Sequence, residues 1–177
     1  IMSKIKNKKA IWSTRIKKNT ATIYKKVGGS IDVDKRLFME DIQGSMAHTE
    51  MLFKQKIISF KIKNKIIWGL KKIQNEILKG KFIFRKELED IHMNIENRLH
   101  EIIGEEAGFV HTGRSRNDQV ITDLKIWMKT STLNLIKLLN NLNKVFINIA
   151  EKNIETIMPG FTHLKNAQPI SFAHYLL

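Results

Sequence analysis

From Asp118 to about Ile157 the chain runs for about forty residues without a glycine or a proline. Across that stretch Met128, Ser131, Leu135, Leu138, Leu142, Val145 and Ile149 follow each other at alternating steps of three and four, the period of a helix in a bundle or coiled coil. At ~1.5 Å per residue such a helix is on the order of 60 Å long. A rod of that length must bury its apolar stripe against other long helices, and this sequence holds no second pattern of comparable length. The expected partners are helices from outside this sequence, other subunits, or both.

The rest of the pattern is helical too. Residues 1 to about 30 are basic and weakly patterned, with a break at Gly28-Gly29, and read as an arm. From Asp34 onward, Phe38, Ile42, Ser45, Thr49 and Leu52 mark one helical face. A second stripe is Ile66, Leu70, Ile73 and Ile77, stopped at Gly80; a third, from Lys86 to Ile103, is Leu88, Ile91, Ile95, Leu99 and Ile102, stopped at Gly104. Pro159-Gly160 is expected to end the long helix and lead into Phe161-Thr162-His163. The expected fold is all-α: a small N-terminal helical domain over residues 1–110, then the start of a long-helix bundle over 111–177.

Composition removes several classes of function. With no cysteine there are no disulfides, thiolate metal sites or cysteine nucleophiles. The six histidines include no helical His pair of the metalloprotease kind, so no metal is expected, and nothing points to a cofactor. No apolar run is long enough for a membrane span and no signal peptide is evident, which makes the cytoplasm the default location. The formal charge of +14 raises the question of nucleic acid. Its lysines are spread along the whole chain, with no basic stripe interleaved with aromatics, so a solvated surface is the better reading. Ile1 precedes Met2, and the sequence stops inside the apolar run Phe172 to Leu177. An N-terminal portion of a longer protein is therefore expected.

The chemistry concentrates in two places. His111-Thr112-Gly113-Arg114-Ser115-Arg116-Asn117-Asp118 puts two guanidinium forks, hydroxyls and a carboxamide just ahead of the long helix. Two cations at a helix N-terminus oppose its dipole unless an anion sits between them, so the string reads as a carboxylate-binding site. Further along, Thr162-His163 follows the proline turn and Gln168 lies beyond it. His163 is the best acid/base candidate, because imidazole titrates close to neutral pH. Taken as residues alone, Ser30, Asp34 and the run Asp41 to His48 read as capping and helix-packing groups, with Gly44 and Ala47 as close-approach positions. Glu89-Asp90-Ile91-His92 reads as the acidic start of a helix.

Together these strings resemble the argininosuccinate lyase family of the fumarase/aspartase superfamily. The most specific match runs from His111 to Val120 with Thr122-Asp123-Leu124; the second is Met158-Pro159-Gly160-Phe161-Thr162-His163-Leu164 with Ala167-Gln168-Pro169. Support comes from Glu89 to His92, Asp41 to His48, and Trp12 with Arg15. The resemblance implies β-elimination of argininosuccinate to arginine and fumarate, the last step of arginine biosynthesis. It implies substrate binding at Ser30, Ser115, Arg116, Asn117 and Thr162, with Gln168 beside them, and proton transfer at His163 with Thr162. Asp90 and His92 match a segment near the site. The implied assembly is a homotetramer whose active sites draw on three subunits. The family's third signature, a mobile Gly-Ser-Ser loop carrying the serine base, is not in this sequence. Ser13-Thr14 replaces a usual pair of glycines, and Lys165 stands where glutamine is usual.

Three alternatives stand beside that reading. One is a catalytically inactive truncation or structural relative with the same fold. Another is a different lyase of the superfamily, against which the Arg-Ser-Arg-Asn string argues. The last is a basic helical nucleic-acid module, recognisable by a steep salt dependence.

Overall fold

A computed structural model describes residues 27–177; Trp12, Ser13, Thr14 and Arg15 lie outside the described residues. The chain divides into two compact units, one up to Trp127 and one from Met128 onward.

In the first unit a short α1 (Ile31–Asp34) passes through a 3-10 turn at Lys35–Leu37 into α2 (Phe38–Lys54). Then come α3 (Phe60–Leu78), a 3-10 turn at Lys86–Leu88, α4 (Ile91–Ile103) and a 3-10 segment at Gly104–His111. Caps set the starts of two helices: Ser59 accepts from the Ile62 N–H at 3.3 Å, and Asp90 from the Met93 N–H at 2.6 Å. The stripes read from sequence converge on one core of Ile42, Leu52, Ile66, Leu70, Ile73, Ile91, Ile95 and Leu99, all essentially inaccessible to solvent. Helices α3 and α4 meet closely at Gly69, where an added Cβ would lie 2.5 Å from Leu99 Cδ1. At the rim, Arg98 bridges Glu76 and Glu101 with bonds of 2.8 to 2.9 Å.

Helix α5 (Arg116–Glu151) is 36 residues long, on the order of 54 Å. Its end comes a little before the expected one. The Asn153 amide donates to the Ile149 carbonyl at 2.8 Å and the Thr156 hydroxyl donates to Asn153 Oδ1 at 3.1 Å, local bonds that compete with continuing the helical ladder. Along the second unit's part of α5 the apolar stripe is exposed, with Leu135 at 56% and Leu138 at 65%. No helix among the described residues is long and apolar enough to cross a membrane.

Among the described residues the architecture is all-α as expected, with one small two-stranded sheet added to it. Pro159 and Gly160 do not form a loop but lie within β1 (Ile157–Thr162), which pairs antiparallel with β2 (Lys165–Ser171). Pro159 faces Pro169, and a bulge follows before Phe161 pairs with Asn166. Gly160 is required at this bulge, because a Cβ there would sit 2.7 Å from the Gln168 carbonyl oxygen. The two-residue loop His163-Leu164 has φ of 48° and 60°, positive at both positions as in a type I′ turn. Ser171 then caps α6 (Phe172–Leu176), accepting from the His174 N–H at 3.1 Å.

Candidate active site

The candidate site in the first unit is built where the starts of α1, α4 and α5 meet the middle of α2. The turn before α4 is held in an unusual shape: Glu89 has φ 64°, and its carbonyl accepts from both the Ser30 and Ile31 N–H groups at 2.9 Å. The Ser30 hydroxyl donates to Asp34 Oδ2 at 2.5 Å, and Asp34 Oδ1 accepts from the Ile91 N–H at 3.1 Å. Partial burial and the nearby Asp90 raise the Asp34 carboxyl above the usual carboxylate range despite its bonds to Ser30 and Ile91. Ser30, Asp90 and His92 are thus brought into one neighbourhood from about sixty residues apart in the chain.

Arg116 joins them as the first residue of α5. Its Nη2 lies 2.9 Å from Glu96 Oε1, its Nε 3.7 Å from Asp90 Oδ2, and its Nη1 donates to Gln119 Oε1 at 2.7 Å. About a quarter of the side chain stays exposed, at 27%. Ser115 precedes the helix and its carbonyl accepts from the Gln119 N–H at 3.0 Å; Ser115 and Asn117 are both exposed. One partly exposed arginine side chain, two exposed polar side chains and a helix N-terminus are therefore adjacent, a combination suited to an anionic ligand.

The two arginines of the string separate. Arg114 turns inward, donating from Nη1 to Ser45 Oγ at 2.8 Å beside Asp41 and Asp123. Gly44 makes room for it: a Cβ there would fall 3.2 Å from Asp123 Oδ1 and 3.4 Å from Arg114 Nη2. Ala47, paired with Gly44 in the sequence reading, is exposed instead. The His48 ring packs at the same junction, with Nε2 2.9 Å from the Thr112 carbonyl oxygen. Burial, foremost, and the nearby Arg114 charge lower its pKa, against the opposing pull of that carbonyl.

Beneath Arg116 lies a buried polar cluster. His92 Nδ1 is 2.9 Å from Asp41 Oδ1 and 3.5 Å from Asp123 Oδ2, and Gln119 Nε2 donates to the same Asp41 Oδ1. All four side chains are at most 2% exposed. Burial alone would raise Asp41, but hydrogen bonds from His92 and Gln119 and the charges of His92 and Arg114 outweigh it and hold the carboxyl below its ordinary value. His92 is shifted upward: burial opposes its charge, and Asp41 and Asp90 more than restore it. Asp123 is pushed up to about 7 by burial and by the Asp41 charge, and neither of its oxygens has a hydrogen-bond partner. Asp41, His92 and Asp123 each offer an atom within 4.8 Å of the others, a spacing that could suit a metal ion. The Arg114 charge acts on both carboxylates from the α5 side.

The remaining expected residues are in the second unit. Thr162 ends β1, His163 opens the tight turn and Gln168 lies on β2, and all three are exposed. Sequence reading missed Gln119, Glu96 and Asp123 as site residues. The signal was present, since Arg116, Gln119 and Asp123 fall three and four apart on one face of α5.

A family profile described as "Lyase" matches residues 14–177. The chain is 68% identical over 176 residues to an argininosuccinate lyase of Pelagibacter ubique, covering 99% of this chain and 38% of that protein. It is 51% identical over 170 residues to the argininosuccinate lyase of Ehrlichia chaffeensis, covering 96% and 36%. The chain thus spans little more than a third of the length of these relatives. Among solved structures, an EDDS lyase variant with bound fumarate matches with a TM-score of 0.70 at 28% identity, over 81% of this chain and 28% of that one. A fumarate lyase from Mesorhizobium sp. BNC1 matches with a TM-score of 0.62 at 16% identity, over 82% and 36%, a likeness of fold.

Proposed function

The chain belongs to the lyase family, and on that premise we propose that the full-length protein carrying it is an argininosuccinate lyase, releasing arginine and fumarate by β-elimination. The observation that carries this reading is Arg116, fixed by Asp90, Glu96 and Gln119 at the N-terminus of α5 with about a quarter of its side chain exposed. Removing a proton from the carbon beside a carboxylate drives negative charge onto that carboxylate. Donors already aimed there stabilise the transition state more than the ground state, because they need no rearrangement as the charge grows. The electron pair of the broken carbon–hydrogen bond becomes the double bond of fumarate, while the carbon–nitrogen pair leaves with the nitrogen, which takes a proton and departs as part of arginine.

In this reading Ser115, Arg116 and Asn117 hold substrate carboxylates, Ser30 and Asp90 line the same pocket, and Thr162, His163 and Gln168 serve the reacting end, with His163 moving a proton. His92, buried against Asp41, supports the pocket from below. The enzyme acts in arginine biosynthesis, in the cytoplasm, as a homotetramer. Support for assembly comes from the exposed leucines along α5, which a helix of this period buries against partners. Support for a substrate with several carboxylates comes from the donor-rich start of α5.

The test uses the full-length protein, with fumarate release from argininosuccinate followed by ultraviolet absorbance. Arg116→Ala is expected to raise KM by about a hundredfold through loss of a charge-assisted contact, and His163→Ala to lower kcat by about a hundredfold or more. Near-normal turnover in both variants would overturn the assignment.

A further inference from the structure

Arg116 has neighbours on three sides, and two of them are acids whose attraction for a guanidinium needs no explanation. Gln119 is different. A carboxamide has a donor end and an acceptor end, and only the acceptor end suits arginine, which has donors alone. Something must decide which way the amide faces.

Asp41 does so. Its carboxylate, held in the ionised form among buried donors, can only accept hydrogen bonds. Gln119 Nε2 donates to Asp41 Oδ1, which leaves Gln119 Oε1 facing Arg116 Nη1 at 2.7 Å. Rotating the amide would set oxygen against oxygen at one end and donor against donor at the other. His92 Nδ1, 2.9 Å from the same Oδ1, anchors Asp41 from the opposite side. A directional relay therefore runs from His92 through Asp41 and Gln119 to the edge of Arg116, crossing from α4 to α2 to α5. Its inner members are buried, Gln119 at 2% and Asp41 at 1% exposed, so water does not compete for these bonds.

We propose that Gln119, oriented by Asp41, is a positioning residue that sets the plane of the Arg116 guanidinium for a substrate carboxylate. The proposal rests on the reading of Arg116 as a carboxylate ligand. A flexible arginine loses rotamer freedom when it grips a ligand; one whose fork is already fixed in the folded protein loses less on binding. Gln119 touches no substrate in this scheme and acts only through Arg116. Its loss should therefore appear in substrate affinity rather than in the proton-transfer step.

The acceptor at Asp41 is what the variants probe. Asp41→Asn keeps an oxygen that can accept from both Gln119 and His92, so its KM should stay within about threefold of the parent. In the full-length enzyme, Gln119→Leu and Asp41→Ala are each expected to raise KM for argininosuccinate about tenfold, with kcat changed less than about threefold. Gln119→Glu sets two carboxylates against each other and should also raise KM, which keeps the test open if the leucine variant folds poorly. If Arg116→Ala raises KM while neither Gln119 variant does, positioning by Gln119 is refuted and the role of Arg116 stands. If Arg116→Ala leaves KM unchanged, the carboxylate-binding reading itself fails. An unchanged KM in Asp41→Ala, or a KM raised as much in Asp41→Asn as in Asp41→Ala, would refute orientation by Asp41.

Discussion

Replacing Asp123 by asparagine should change how stability depends on pH, in a direction and size the structure fixes. The Asp123 side chain is fully buried, faces the Asp41 charge, and has its carboxyl raised from 3.8 to about 7. A raised acid keeps its proton longer in the folded state than in the unfolded chain. Its favourable contribution is complete below the unfolded pKa and is lost as pH rises through the folded one. At 1.36 kcal/mol per pKa unit, a rise of about three units corresponds to about 4 kcal/mol of stability lost between about pH 4 and about pH 9. A carboxamide at this position matches the neutral acid in shape and cannot ionise, so D123N is spared that loss. Urea unfolding followed by far-UV circular dichroism would be run on parent and variant across this range. Subtracting the two curves removes the parts of the titration they share. The variant is expected to gain on the parent progressively with pH, reaching an advantage of about 4 kcal/mol at the alkaline end. A difference that stays flat to within about 1 kcal/mol would refute the upward shift of the Asp123 carboxyl.

Two further predictions concern packing and the hairpin turn. Leu164 has φ 60° and is 99% exposed. Leu164→Gly should relieve about 1 kcal/mol of left-handed strain without losing a buried contact, seen as slower amide exchange in β1 and β2; faster exchange would contradict it. Leu99→Ala should cost about 3 kcal/mol as a core cavity and Gly69→Ala about 1–3 kcal/mol from overpacking against Leu99. Because the two sites touch, the double variant should cost less than the sum by about 1 kcal/mol or more; simple additivity in thermal or urea unfolding would show that α3 and α4 are not pinned at this point.

Much of the helical architecture was legible because it rests on one periodicity. Ile66, Leu70 and Ile73 fall on the face that packs, and all three are completely buried. Ser45 and Thr49 belonged to the same stripe as Ile42 and Leu52, so their burial was also readable, although the bonds they make were not. The hairpin was hidden for physical reasons. Each strand carries a proline, which argues against a strand interior, and most of its side chains are exposed, so no clean alternation marks it. Its turn uses His-Leu where Asn-Gly would have announced a type I′ geometry. At the site, the string around Arg116 pointed to anion binding, yet nothing in it separated Arg114 from Arg116. That difference arises from the gap left by Gly44 on a helix about seventy residues earlier in the chain. Asp41, Gln119 and Asp123 read in the sequence only as a capping group or as parts of a motif, and their joint burial was not readable because polar residues in helices are usually solvated.

The turn at Glu89 ties two distant stretches into one mechanical piece. With a single carbonyl clamping both amides at the head of α1, whatever tugs on Ser30 also tugs on the segment leading to Asp90. A small molecule seated against either would feel both, so damage at the two sites should compound or mask rather than sum.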